Sequence, residues 1–159
     1  MARVQLALNV RCLEQAVDFY TKLFGTEPAK VRPGYANFAV ADPPLKLVLI
    51  QNPDAADGSL DHLGVEVGTP GDVAAAHARL AAEGLVAATE DQATCCYAVQ
   101  DKVWVDGPGG HPWEVYAVLA DAAGPHAEGP DAAGPEAAGL EAAVRSVGPG
   151  AAACCAGLR

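Results

Sequence analysis

The sequence predicts an α+β fold built from two β-α-β-β-β modules in tandem. Two observations carry this expectation. The order of strand-like and helix-like segments repeats from about residue 60 onward, and each helix-like segment stops at a glycine, Gly25 and Gly84. A third observation sets the limit of the fold. Composition breaks near Asp121, after which Ala, Gly and Pro dominate, A-A-G-P recurs and no aromatic occurs. Such a segment cannot offset its ordering entropy by burial. The expected domain is therefore 1–120, with modules at about 2–51 and 60–119. Residues 121–159 are expected to be a flexible, disordered tail.

The first module opens with the strand R-V-Q-L-A-L-N-V. A helix follows over about Leu13–Phe24, with Leu13, Val17, Tyr20 and Phe24 on one stripe, and Gly25 is placed to end it. Strands are expected at about Pro28–Arg32, Ala36–Val40 and Lys46–Gln51, with turns at Pro33-Gly34 and Asp42-Pro43-Pro44. The second module starts with a strand at about Asp61–Val67. Thr69-Pro70-Gly71-Asp72 then reads as a helix start, with Thr as N-cap, Pro first in the helix and Asp third. That helix runs to about Glu83. Strands near Val86–Thr89, Ala98–Asp106 and Trp113–Leu119 complete the module, the last two joined by the turn D-G-P-G-G-H-P.

Composition narrows the function classes. The chain of 159 residues carries a net charge of −10, which argues against non-specific binding to nucleic acid or to an anionic membrane surface. No apolar run reaches the roughly 18 residues of a membrane span, and the N-terminus lacks signal-peptide features. A cytoplasmic location is expected, where thiols stay reduced.

Two of the five cysteines stand side by side in T-C-C-Y, and two more in A-C-C-A near the end. Adjacent Cα atoms lie about 3.8 Å apart, closer than the usual disulfide spacing of about 4.4–6.8 Å. Cys95-Cys96 and Cys154-Cys155 therefore read as pairs of reduced thiols. In a regular strand, neighbours point to opposite faces. Cys95 and Cys96 must sit in a turn or loop to act on one ligand, and the polar run E-D-Q-A-T before them is loop-like. Cys12, alone at the first helix start, is assigned to the core.

The two modules enclose a concave site where inward strand residues can meet at a metal. Gln5 in the first strand and His62 in the matching strand of the second module occupy corresponding places. Glu114 lies in the apolar strand W-E-V-Y-A-V, where a carboxylate needs a partner. Each has an ordinary reading alone: a polar strand residue, a hydrogen-bonded core histidine, and a carboxylate paired with Lys or Arg. Together they offer O, N and O donors suited to Fe(II), Mn or Ni. His77 in the second helix and His111 in a turn are read as surface residues, and His126 falls in the tail.

F-Y-T-K-L-F-G, L-D-H-L-G-V-E-V and D-G-P-G-G-H-P-W-E-V-Y resemble landmarks of the vicinal oxygen chelate superfamily of glyoxalases, fosfomycin-resistance proteins and extradiol dioxygenases. Y-A-N-F-A-V-A-D-P-P-L-K-L-V-L and A-T-C-C-Y-A-V-Q-D-K-V-W-V resemble more narrowly the carbon–arsenic lyases, or organoarsenical demethylases. Cadmium-induced proteins share these landmarks. The resemblance covers about three quarters of the chain and excludes the tail. It implies a metal held by Gln5, His62 and Glu114, with Fe(II) as cofactor and Mn, Ni or Co as substitutes. It implies O₂-dependent cleavage of trivalent organoarsenicals such as methyl-As(III), held on Cys95 and Cys96, to inorganic As(III), giving organoarsenical resistance. The loop carrying the thiols is expected to open for release.

Gln5 stands where many iron members carry histidine, and L-K-L-V-L-I lacks the glutamate that glyoxalases place there, which leaves coordination positions open. A monomer can build this site alone. The tail pair Cys154-Cys155 can scavenge As(III) or be an idle extension. Two rivals remain: a non-enzymatic thiol binder of As(III), Sb(III) or Cd(II), and another dioxygenase or glyoxalase of the superfamily.

Overall fold

The computed structural model describes residues 2–124, all within one compact unit. The expectations for the tail, including His126, Cys154 and Cys155, lie outside the described residues. The first module comprises β1 (Arg3–Val10), α1 (Leu13–Phe24), β2 (Lys30–Arg32), β3 (Tyr35–Val40) and β4 (Leu45–Gln51). The second comprises β5 (Leu60–Glu66), α2 (Pro70–Ala82), β6 (Val86–Cys95), β7 (Ala98–Asp106) and β8 (Pro112–Asp121). All eight strands form one curled mixed sheet in the order β2-β3-β4-β1-β5-β8-β7-β6. β1 runs parallel to β4 and β5 parallel to β8, and the antiparallel β1–β5 pair joins the modules.

Both helices form where the local chemistry directs them. Gly25 ends α1 in the left-handed conformation at φ 62°, which glycine adopts without steric cost. Thr69 and Asp72 form a reciprocal capping box at the start of α2. Each helix covers one side of the sheet with alternate strand residues. Leu13, Val17, Tyr20 and Phe24 of α1 pack on Ala36, Phe38, Leu47 and Leu49. Val73 and Leu80 of α2 pack with Val103, Ala117 and Val115. Because strand side chains alternate, the residues between these face away from the helices, into the concave side.

Three expectations need correction. E-D-Q-A-T is not a loop: β6 continues through it to Cys95, bulging between Glu90 and Ala93, with Gln92 at φ 51°. Its polarity is that of an edge strand, since β6 is the last in the sheet. β8 runs past the expected end of the domain to Asp121, whose carboxylate pairs with Lys30. Cys12 is half-buried at the N-cap position of α1 and belongs to none of the core clusters among the described residues.

Removing the α2 cap gives a direct test of this local account. Thr69→Ala is expected to destabilise the domain by about 1 kcal/mol, lowering Tm by about 4 °C. Thermal unfolding followed by circular dichroism checks it.

Candidate metal and thiol site

Strand register brings the three predicted donors together. Gln5 pairs with Gly64 across β1–β5, and Gly64 with Glu114 across β5–β8. Gln5, Gly64 and Glu114 form one row, and His62 opposes Ala7 two residues along β5. Gly64 makes the row possible. A Cβ there would stand 3.1 Å from Cγ of Glu114 and 3.3 Å from Cβ of Gln5, so a side chain at this position would push the two donors aside by a few tenths of an ångström. Gln5 and Glu114 are buried, at 4% and 3% exposure.

The side chains are in direct contact. The Gln5 amide nitrogen donates to Oε1 of Glu114 at 2.7 Å and lies 3.0 Å from Nε2 of His62. Nε2 of His62 stands 3.3 Å from the same carboxylate oxygen. On the other side of the ring, Nδ1 lies 2.7 Å from Asp61; in the neutral ring with its proton held there, the Nε2 lone pair points inward, as a carboxylate arranges behind a ligating histidine. Burial pushes the imidazole pKa down, but hydrogen bonds with Glu114 and Asp61 outweigh it, so it lies above its ordinary value. Burial likewise pushes the Glu114 carboxyl up, and His62 and Lys102 more than reverse this. The carboxyl is thereby held ionised.

The ordinary reading of Glu114 is thus partly realised. Lys102, 2% exposed, places its ammonium 3.1 Å from Oε2. Yet Oε2 receives no aligned hydrogen bond and remains a buried acceptor without one. Among the described residues no group of three or more His, Cys, Asp or Glu side chains is arranged to hold a metal ion. That fits a centre whose third donor is an amide. Gln5 now presents its NH₂ to two acceptors, the place a cation would take, while its Oε1 accepts from the Tyr116 hydroxyl. Turning the amide over would direct Oε1 inward. The Tyr116 hydroxyl could then accept from the amide nitrogen and donate to Oε2 of Glu66, 3.0 Å away. The donor set therefore fits a divalent metal, with Lys102 as the competing cation.

The cysteine pair borders the same space. One cavity of about 30 Å³ is lined by Gln5, His62 and Glu114 together with Cys95 and Cys96. Cys95 closes β6. Cys96 and Tyr97 form the two-residue turn to β7 at φ 57° and φ 62°. Tight hairpins of this twist demand positive φ at both positions and usually recruit Asn or Gly. Here the strained turn carries the two sulfurs to 3.0 Å from one another, well beyond the ~2.05 Å of a disulfide. The hydrogen bond with Cys95 and burial both push the Cys96 thiol pKa up.

The expected mobile loop is instead an anchored turn. The Tyr97 hydroxyl donates to the Pro33 carbonyl at 3.0 Å, and the Tyr97 carbonyl accepts from Lys30 at 3.2 Å and from the Ala122 amide at 3.0 Å. The sequence reading also passed over Asp61, Lys102, Trp104 and Tyr116. The signal was present: Gln100, Lys102 and Trp104 alternate along β7 and all line the cavity, with Trp104 edge-on to His62 at 5.7 Å. His77 is half-buried on α2 and His111 is exposed, both apart from the cavity lining.

Comparison with known proteins agrees with this architecture. Residues 3–115 match the Glyoxalase/Bleomycin resistance protein/Dioxygenase superfamily. Over 122 residues the chain is 64% identical to the "Cadmium-induced protein CadI" of Mycobacterium tuberculosis, covering 77% of this chain and 80% of that one. It is 62% identical over 122 residues to the "Trivalent organoarsenical cleaving enzyme" of Thermomonospora curvata, covering 77% and 81%. Among solved structures, the Mn(II)-bound glyoxalase from Novosphingobium aromaticivorans is similar with a TM-score of 0.55 at 21% identity, over 77% of this chain and 42% of that one. The homoprotocatechuate 2,3-dioxygenase from Arthrobacter globiformis is similar with a TM-score of 0.53 at 22% identity, over 74% and 36%. With its paired β-α-β-β-β modules and one curled sheet, the chain belongs to the Glyoxalase/Bleomycin resistance protein/Dioxygenase superfamily.

Proposed function

We propose that the protein cleaves the carbon–arsenic bond of trivalent organoarsenicals, such as methyl-As(III), leaving inorganic As(III), in a reaction dependent on Fe(II) and O₂. Resistance to organoarsenicals would follow. The observation that carries this reading is the shared cavity: a buried N, O, O donor set and an adjacent thiol pair face one space. A relative 62% identical bears the name of a trivalent organoarsenical cleaving enzyme, and a second, from Bacillus sp., does so at 38%.

Gln5, His62 and Glu114 would hold the metal. Bound there with open coordination positions, Fe(II) supplies O₂ activation. The remaining roles belong to the chain. Cys95 and Cys96 capture the arsenic, whose two exchangeable positions match two thiolates and leave the carbon substituent on the third. The bend at Cys96 makes this geometry available, because it breaks the alternation that would send the two sulfurs to opposite faces. Asp61 fixes the His62 tautomer. The Lys102 ammonium lowers the cost of thiolate formation at Cys96 and remains protonated, because Glu114 outweighs the effect of its burial. Val48, Trp104 and Tyr35 close the cavity walls and limit access of bulk water.

The first test is anaerobic loading with Fe(II), followed by methyl-As(III) with and without O₂ and arsenic speciation. Release of inorganic As(III) only when both Fe(II) and O₂ are present is the expected outcome. An intact methyl group with stoichiometric binding would leave a thiol-based metalloid binder. Cys96→Ser is expected to abolish tight methyl-As(III) binding while Fe(II) binding, measured by anaerobic titration, stays within twofold of the parent. Normal demethylation by that variant would refute the capture role. Gly64→Ala is expected to weaken Fe(II) binding about tenfold or more, the cost typical of disturbing a ligand's support, because its methyl would displace Gln5 and Glu114. Unchanged affinity in a folded variant would separate these residues from the metal.

A further inference from the structure

A second cavity, of about 190 Å³, plays no part in the reaction just described. Cys96, Gln100 and Lys46 border both cavities. Cys96 of the thiol pair can therefore be approached from this second space, and Cys95 only through the first, whereas the cavity of about 30 Å³ over the donor set has room for about one water. The larger cavity is cationic in an otherwise acidic chain. Arg3, Lys30 and Lys46 line it with one lining carboxylate, Glu66, and Lys30 is also paired with Asp121 beyond the lining, which leaves one positive charge in excess. Glu66 already binds Nη2 of Arg3 at 2.8 Å and Nζ of Lys46 at 2.9 Å.

Two of the residues that line it each carry an unsatisfied polar atom. Nε of Arg3 is buried with no hydrogen-bond partner, and so is Oε1 of Gln100. Gln100 is 5% exposed and is held in place by its amide nitrogen, which donates to the Cys95 carbonyl at 3.2 Å. A buried donor and a buried acceptor left unmade are costly, and both belong to residues that line a space bordered by Cys96. The complementary ligand is an anion with its own donor. A carboxylate accepts from Arg3 and balances the excess positive charge, and a thiol S–H donates to Gln100.

We propose that this cavity binds a small carboxylate-bearing thiol that removes inorganic As(III) from Cys95 and Cys96 by thiol exchange. The inference rests on capture of arsenic by that pair. In each exchange a bond forms between the incoming sulfur and arsenic, and one arsenic–cysteine sulfur bond breaks. The proton of the incoming thiol passes to the departing cysteine sulfur. Arsenic remains As(III), and no oxidant or reductant is consumed. A second thiol repeats the exchange at the other cysteine. Release by exchange is compatible with a turn pinned through Tyr97 to Pro33, Lys30 and Ala122, because the turn need not open.

The test uses the full chain carrying C154S and C155S, loaded with one equivalent of inorganic As(III). Transfer of arsenic to 3-mercaptopropionate and to 2-mercaptoethanol is timed, each rate referenced to the same exchange from a free dithiol–As(III) complex. The protein is expected to favour 3-mercaptopropionate about tenfold or more, the effect of one hydrogen bond to a charged group. Arg3→Gln is expected to remove that preference and leave the 2-mercaptoethanol rate unchanged, which also shows that the variant is folded and loaded. Lys30→Gln should reduce the preference in part. Equal referenced rates in the parent protein, or a preference that survives Arg3→Gln, would overturn the proposal. Failure of the parent protein to retain As(III), or retention that survives replacement of both Cys95 and Cys96 by Ser, would instead remove the capture reading and this inference with it.

Discussion

The concave side of the sheet is organised around one buried carboxylate. Glu114 sits at 3% exposure in the middle of the sheet, where an uncompensated charge would be very costly. Its neighbours answer that cost from three strands: Gln5 from β1, His62 from β5 and Lys102 from β7. Compensation is nevertheless incomplete, because Oε2 lacks an aligned donor. That remaining acceptor is what the proposed function assigns to a metal cation, in competition with the Lys102 ammonium.

The duplicated architecture explains how such a site arises from modest means. β1 and β5 pair antiparallel at the centre of the sheet, so the two modules place corresponding positions on one concave surface. The halves then differ in chemistry. β8 contributes the carboxylate of Glu114, whereas β4 contributes the buried ammonium of Lys46, paired with Gln5 in register and with Glu66 by charge. One half contributes an anion to the centre and the other a cation. The Lys46–Glu66–Arg3 cluster, with Tyr116 between Glu66 and Gln5, ties the second cavity to the first.

The turn at Cys96-Tyr97 stores strain that the surroundings must hold. Two consecutive residues other than glycine at positive φ are costly and persist where the structure over-determines them. Tyr97 supplies that restraint. Its ring packs on Tyr35 at 5.7 Å, and its hydroxyl and carbonyl bind groups of the first module and the residue following β8. The two sulfurs are therefore held in a convergent arrangement 3.0 Å apart, and under the proposed function this lowers the ordering cost of capture.

Much of this was legible in the sequence. Module order, both helices with their caps, and Gln5, His62 and Glu114 as candidates all followed from local signals: apolar periodicity, glycine stops, a capping box, and polar residues inside apolar strands. Local chemistry determines these because each depends on a few neighbouring residues. The sequence misjudged β6, since a polar edge strand and a loop have similar composition until pairing with β7 is known. It also could not assign Lys102 to Glu114, show that Gly64 clears the space between two donors, or tell that Tyr97 pins the thiol turn. Those relations join residues brought opposite one another only by strand register and by the curl of the sheet. What the sequence determined by itself was which residues carry chemistry. Which of them touch was decided by tertiary structure, because contact across a sheet depends on pairing partners far away along the chain.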